Sequence, residues 1–120
     1  MISFAVARAE EASIDQIVKE RDTLLAKIHE ATKNNLAVGA ASAEQVRSAA
    51  IDLYSFRRDS ASALSGRLQW QGMIVTAEKE RSTSVEKEVK QGLAPPIEAL
   101  RARERVLAAE QKLLELKAAQ

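Results

Sequence analysis

The residues that decide the fold are 34–45, which read NNLAVGAASAEQ. Gly39 suits the left-handed conformation that ends many helices, because glycine has no Cβ to clash there. Ser42 and Gln45 have the spacing of a capping box, in which each side chain accepts the backbone N–H of the other residue. The stretch therefore predicts one helix that ends near residue 37 and another that begins near residue 43.

A second turn carries similar signals 53 residues further along the chain. Residues 90–98 read KQGLAPPIE, in which Gly92 matches Gly39 and two prolines follow it. Proline lacks a backbone N–H and fits the entry and first turn of a helix better than its interior. Few identities accompany the match, so it indicates a shared pattern of two helical hairpins and does not establish a duplication.

Between the turns, apolar residues recur at the three- and four-residue spacing of helices. The spacing predicts an all-α fold, an antiparallel up-down bundle of three long helices at about 3–37, 43–90 and 95–119. The whole chain, 1–120, is expected to form a single domain. A continuous middle helix would put the two turns at opposite ends of the bundle.

The middle segment leaves an alternative open, because it is long for one helix in a small domain. Ser65-Gly66 and Gln71-Gly72 offer two places where it could end, although no convincing N-cap follows either glycine. A glycine inside a helix costs only ~1 kcal/mol, which a packed helix tolerates. The continuous helix is preferred, and four helices with a break near 65–75 are the alternative.

Charge and composition argue against several classes of protein. The chain has 18 Lys and Arg against 17 Asp and Glu, evenly mixed, so binding to nucleic acid or membranes through bulk charge is not expected. The absence of cysteine excludes disulfides and thiolate chemistry but fits both the cytoplasm and the bacterial periplasm. No apolar run approaches the ~20 residues that span a bilayer. The start lacks the features of a signal peptide, although a signal removed before Met1 would be invisible.

Residues that could perform catalysis are few. His29 is the only histidine, and no acidic cluster at metal-ligand spacing accompanies it. The carboxylate pairs are interleaved with Lys or Arg, as on solvated helix faces; they are Glu10-Glu11, Glu78/Glu80 and Glu86/Glu88. We predict no catalytic residue, no cofactor and no metal site, and do not expect an enzyme.

Two groups of residues in the middle segment have alternative interpretations. Four arginines lie on or near one helix face: Arg47, Arg57, Arg58 and Arg67. They could contact phosphates, or pair with neighbouring acids such as Glu44 and Asp59 while their stems cover a helix seam; pairing is preferred. Trp70 is assigned to core packing or, alternatively, to an exposed partner or dimer contact. Self-association along an exposed apolar edge is also expected.

The first turn resembles a motif of a known family. Residues 35–49, NLAVGAASAEQVRSA, are similar to the helical-hairpin tips of TolC-type outer-membrane efflux proteins. Those tips combine an x-V-G turn with small residues, an acidic residue, Val or Leu, and a following Ala; residues 90–102 look like a looser version. In that family the tips meet adaptor proteins at the periplasmic end. The resemblance implies tip contacts through Val38-Gly39-Ala40 and Gln91-Gly92-Leu93.

The chain departs from that family in having only the helical part, directly joined. It is more similar to stand-alone bacterial helical proteins that share these tips and an aromatic-Ser-x-Arg-Arg stretch, which residues 54–58 fit loosely. The expected function is a non-catalytic structural or protein-interaction module, with a periplasmic or envelope location favoured. It would bind a protein partner or a second copy, with no small-molecule substrate and no membrane insertion. The alternative is a cytoplasmic regulatory protein that binds nucleic acid or a regulator through the arginine stripe.

Overall fold

The structure, a computed structural model, describes the backbone of residues 2–120 and the side chains of residues 13–120. This part of the chain contains four helices and no strand: α1 (Ile2–Ala37), α2 (Ala43–Ser60), α3 (Leu64–Lys90) and α4 (Pro96–Ala118). The predicted all-α class is confirmed, and the number of helices is that of the four-helix alternative.

The helices α1 and α3 end in the same way. Gly39 and Gly92 adopt the left-handed conformation, with φ of +78° and +74°. Each turn has the paired backbone hydrogen bonds of a Schellman motif, which satisfy carbonyls at the helix end. The N–H groups of Gly39 and Ala40 donate to Leu36 and Asn35 at 3.1 and 2.7 Å, and those of Gly92 and Leu93 to Val89 and Glu88 at 3.1 and 2.8 Å.

The helices that follow these turns begin with the expected signals. The Ser42 amide donates to Gln45 Oε1 at 2.8 Å, and the Gln45 amide donates to Ser42 Oγ at 3.1 Å, which completes the capping box of α2. The N-cap of α4 is Pro95, and Pro96 occupies the first turn. Both hairpin turns are therefore specified by local sequence.

The preferred prediction of a continuous middle helix is wrong, because residues 61–63 separate α2 from α3. The break precedes the predicted window of 65–75, and Gly66 and Gly72 both lie inside α3. Gly66 permits a close approach instead of a stop, since a Cβ on it would lie only 3.2 Å from the Cβ of Ala61. The turn itself, Ser-Ala-Ser-Ala over residues 60–63, has small residues that pack closely and serines that disfavour helix continuation.

The helices form an open up-down array in which neighbours in sequence are neighbours in space. Backbone contacts join α1 to α2, α2 to α3 and α3 to α4, and among the described helices α1 has such contacts with α2 only. The molecule measures 67 × 40 × 21 Å. Its radius of gyration is 18.3 Å, whereas a compact domain of this length has one of about 14 Å. The array therefore leaves much helix surface without a neighbour.

The break between α2 and α3 also changes where the two hairpin turns lie. Because three successive connections reverse the chain, the turns after α1 and α3 lie at the same end, not at opposite ends as a continuous middle helix would require. The ion pair between Arg81 near the end of α3 and Glu44 at the start of α2, with Nε and Oε1 3.0 Å apart, confirms this.

The buried residues lie on α2, α3 and α4. The buried hydrophobic side chains are mostly small: Ala49, Ala50 and Leu53 on α2, Ile74, Val75 and Ala77 on α3, and Ala102, Val106 and Ala109 on α4. Small side chains let these helices approach closely but leave a thin core. No residue of α1 from position 13 onward is buried, so α1 is attached at the edge of the array through its seam with α2.

Candidate interaction surfaces

The two hairpin tips, defined here as residues 38–40 and 91–93, both present a large aliphatic side chain to solvent. Val38 is 78% exposed and Leu93 is 74% exposed. Each lies next to a left-handed glycine, Val38 before Gly39 and Leu93 after Gly92. The predicted tip residues are therefore brought together as two small apolar projections at one end of the molecule.

An ion-pair cluster lies at the base of the two tips. Arg81, on α3, is 3.0 Å from the Oε1 atoms of both Glu44 and Glu78, and its side chain and that of Glu78 are nearly buried. Arg47 lies 3.5 Å from the other oxygen of Glu44. Arg81 also donates to Ser48 Oγ at 3.3 Å. These contacts join α2 to α3 beneath the tips and help to fix their relative position.

Trp70 lies away from the tips, near the start of α3. Its ring stacks on Tyr54 of α2, with centroids 5.8 Å apart, and the Arg57 guanidinium lies 5.2 Å from its centroid. Tyr54 in turn meets His29 of α1 edge-on at 6.3 Å. Trp70 is only half-buried, yet its ring packs within the chain, so it does not form one surface with the tip residues.

Sequence reasoning did not identify an apolar groove that runs between α1 and α3 over α2. It has a volume of about 720 Å³. Leu36, Val46, Tyr54 and Met73 are among the residues that line it. Gly72 and Met73 contribute to its α3 wall, where a Cβ on Gly72 would meet open space and Met73 is exposed. The groove exists because α1 does not contact α3.

The arginine stripe is largely occupied by contacts within the chain. Arg57 forms two hydrogen bonds to the carboxylate of Asp22 on α1, at 2.9 and 3.3 Å. Arg58 bonds Asp59 at 2.9 Å and Gln71 at 2.7 Å. Arg47 pairs with Glu44 as described, and Arg67 donates to the Ser62 carbonyl at 3.4 Å. The pairing of Arg57 with Asp22 was not foreseen, because the two are 35 residues apart.

Gln71 links three helices from a buried position. Its amide nitrogen donates to the carbonyl of Ala109 on α4 at 2.9 Å, and its amide oxygen accepts from Arg58 on α2 at 2.7 Å. A buried amide with both ends bonded avoids the cost of an unsatisfied polar group. Gln71 therefore acts as a structural connection in the core.

Two titratable groups in the part of the chain whose side chains are described have a pKa that departs clearly from its ordinary value, His29 and Asp59. Partial burial lowers the pKa of His29, and the positive charges of Lys33 and Arg57 lower it further against the opposing effect of Glu30. The hydrogen bond from Arg58 lowers the pKa of Asp59. No group of three potential ligands among those residues is placed to hold a metal ion.

Comparison of the chain with protein-family models, with curated proteins and with solved structures finds no match. Among the described helices, none has a stretch long and apolar enough to cross a bilayer.

Proposed function

We propose that the chain is a non-catalytic protein-interaction module that presents both hairpin tips to one partner protein. The supporting observation is that two turns of the same backbone geometry lie at one end and each expose a large aliphatic residue, Val38 and Leu93. Exposed aliphatic side chains on rigid turns can enter apolar pockets of a partner with little loss of conformational entropy.

The rigidity of the tips supports this proposal. Each glycine turn is closed by two backbone hydrogen bonds, and the ion pairs of Arg81 connect the helices beneath the tips. A partner would therefore meet two apolar projections at a fixed separation. Such a surface selects a partner by spacing as well as by hydrophobicity.

The resemblance of residues 35–49 to TolC-type tips favours a partner in the bacterial envelope. In those proteins the tips meet adaptor proteins, and an equivalent role here would use Val38-Gly39-Ala40 and Gln91-Gly92-Leu93. The proposal places the protein in the periplasm or at the envelope. The alternative, nucleic-acid binding through the arginine stripe, gains no support from Arg57 and Arg58, whose guanidinium groups already bond to acidic groups in the chain.

Site-specific photo-crosslinking in the cells that naturally contain this protein tests the proposal. A photoreactive amino acid replaces Val38 or Leu93, and a matched control replaces Ser62, which is exposed in the turn at the opposite end. We expect both tip positions to crosslink to the same protein and Ser62 not to crosslink to it. Equal crosslinking from Ser62, or none from either tip, would refute the tip-based function.

A second variant separates loss of binding from loss of folding. Replacing Val38 and Leu93 together with Ser removes the apolar projections and leaves both glycines in place. We expect unchanged helix content and melting temperature. A photoreactive amino acid placed instead at the exposed neighbour Ala40 or Gln91 should no longer crosslink to the partner. Retained crosslinking in this double variant would show that the aliphatic side chains do not carry the interaction.

A further inference from the structure

One face of α1 carries exposed aliphatic residues that no described residue of the chain covers. Ile14, Ile17, Leu24 and Ile28 are 60%, 54%, 57% and 53% exposed. Their spacing of three, seven and four residues is that of the a and d positions of a coiled-coil heptad, with Ile14 and Ile28 at a and Ile17 and Leu24 at d. We call these four residues the α1 stripe.

The α1 stripe is distinct from the face that α1 uses within the chain. The seam with α2 is marked by the Asp22–Arg57 ion pair and the contact between His29 and Tyr54. At 3.6 residues per turn, this seam lies about a third of a turn from the stripe. The stripe therefore remains available while α1 is packed on α2.

The length of α1 gives a second reason to expect a neighbour. It contains 36 residues, whereas α2 contains 18. Because Arg57 pairs with Asp22 and α2 ends at Ser60, the antiparallel hairpin leaves Ile14 and Ile17 beyond the end of α2. These two residues belong to a part of α1 that has no helix beside it in the described chain.

We propose that the α1 stripe binds the α1 stripe of a second copy of this chain, in an antiparallel coiled coil. In the proposed register Ile17 lies opposite Ile28 of the second copy, and Leu24 lies opposite the aliphatic stem of Arg21. The guanidinium of Arg21 is turned away over Phe56, 4.5 Å from the ring centroid. Two-fold symmetry repeats each of these layers.

Charge complementarity identifies the second copy as the occupant and selects the register. Glu20 and Lys27 are exposed and stand at the g positions that flank the stripe, and neither forms an ion pair within the described part of the chain. In an antiparallel pair, g positions face g positions. The proposed register puts Glu20 opposite Lys27 of the second copy, and symmetry forms this pair twice.

Other arrangements lose this complementarity. A shift of one heptad in either direction would place Glu20 opposite Glu20, or Lys27 opposite Lys27, and like charges repel. A parallel dimer would set g positions against e positions, so that Glu20 would face Leu25 and Lys27 would face Thr32, with no ion pair formed. Only the antiparallel register with Ile17 opposite Ile28 pairs both charges.

Charge reversal tests the dimer and its register by sedimentation velocity with light scattering on the purified full chain. We expect a wild-type dimer. Glu20→Lys or Lys27→Glu alone places like charges together twice and should raise the dimer dissociation constant about tenfold. The double variant Glu20→Lys/Lys27→Glu restores both pairs and should dimerise like the wild type. A mixture of the two single variants should form heterodimers.

A matched control is Lys19→Glu, which makes the same charge change on the opposite side of α1 and should leave dimerisation unaltered. Ile17→Ser/Ile28→Ser should give a monomer with unchanged helix content. A wild-type monomer at all accessible concentrations would overturn the proposal. A dimer that the single charge reversals do not weaken would overturn it as well, since it would require a different register or surface. The result does not depend on the hairpin tips, whose residues are not changed.

Discussion

The two hairpins of the molecule have matching tips but differ in the seams that hold them together. The α3–α4 hairpin is closed by buried apolar residues, among them Ile74, Val106 and Ala109. The α1–α2 hairpin is closed by half-buried groups, an ion pair and aromatic contacts, and α1 contributes no buried residue from position 13 onward. The same turn geometry is therefore supported by a buried apolar seam in one hairpin and by a half-buried, more polar seam in the other.

This difference indicates that the stability of the fold resides in α2, α3 and α4, while α1 opens more easily. Elements with few buried apolar contacts have low local unfolding free energies. An edge helix of this kind can gain a neighbour from another molecule without disturbing the core. The proposed self-association through α1 and the tip-based function thus use surfaces that the core leaves free.

The largest expected effect comes from placing a charge in the α3–α4 seam. Val106→Asp buries a carboxylate among apolar groups, and we expect the free energy of unfolding to fall by about 4 kcal/mol or more. Urea denaturation followed by circular dichroism measures this loss. The control Leu114→Asp makes a charge change on the exposed side of α4 and should cost less than about 0.5 kcal/mol. Similar losses for the two variants would contradict the assigned core.

The next largest effect comes from removing the buried amide that connects the helices. Gln71→Ala removes the side-chain donor to the carbonyl of Ala109 and the acceptor of Arg58 Nη1, although Arg58 keeps its hydrogen bond to Asp59. The substitution should cost about 2 kcal/mol of unfolding free energy. Its exposed neighbour supplies the control, because Gln69→Ala should change the unfolding free energy by under about 0.5 kcal/mol. A loss below that level for Gln71→Ala would mean that its hydrogen bonds do not stabilise the packing of α2, α3 and α4.

How far the sequence predicts this structure depends on whether the signal is local. The tips were predictable because Gly39, Gly92, Ser42 and the two prolines each act within a few residues. The break at residues 61–63 was placed too late, because it contains neither glycine nor proline and the nearby Gly66 serves close packing. Because the preferred prediction had no break there, it placed the second tip at the opposite end of the bundle from the first.

The remaining contacts of the candidate surfaces depend on residues far apart in the chain. The sequence showed that Gln71, Arg57 and Trp70 were present, but their partners are set by how α1, α2 and α4 pack. Gln71 looks like a surface residue by type, and only the approach of α4 brings the Ala109 carbonyl to it. The groove over α2 likewise results from the open array, which no local pattern specifies.

Glycine substitutions at the two tips should change the stability less than the two core substitutions, and they allow the tips to be compared directly. Gly39→Ala and Gly92→Ala each force a Cβ into the left-handed conformation and should each cost about 1 kcal/mol. Gly72→Ala is the control, because this helical glycine has open space around it and alanine should stabilise α3 by up to about 1 kcal/mol. Thermal melts of the three variants measure these shifts. A loss for Gly72→Ala equal to that at the tips would show that the positive φ is not the cause.

The smallest expected effect is a pH dependence confined to the α1–α2 seam. The pKa of His29 in the folded chain lies below its ordinary value of 6.5, chiefly through partial burial. The unfolded chain therefore binds a proton more readily, and acidification from about pH 6.5 down through the folded pKa should weaken the seam. The protection factors of α1 amides near His29, which already account for the slower intrinsic exchange at lower pH, should fall over that range more than those of α4 amides. In His29→Gln this loss of protection should be smaller, and an undiminished loss would show that His29 is not its cause.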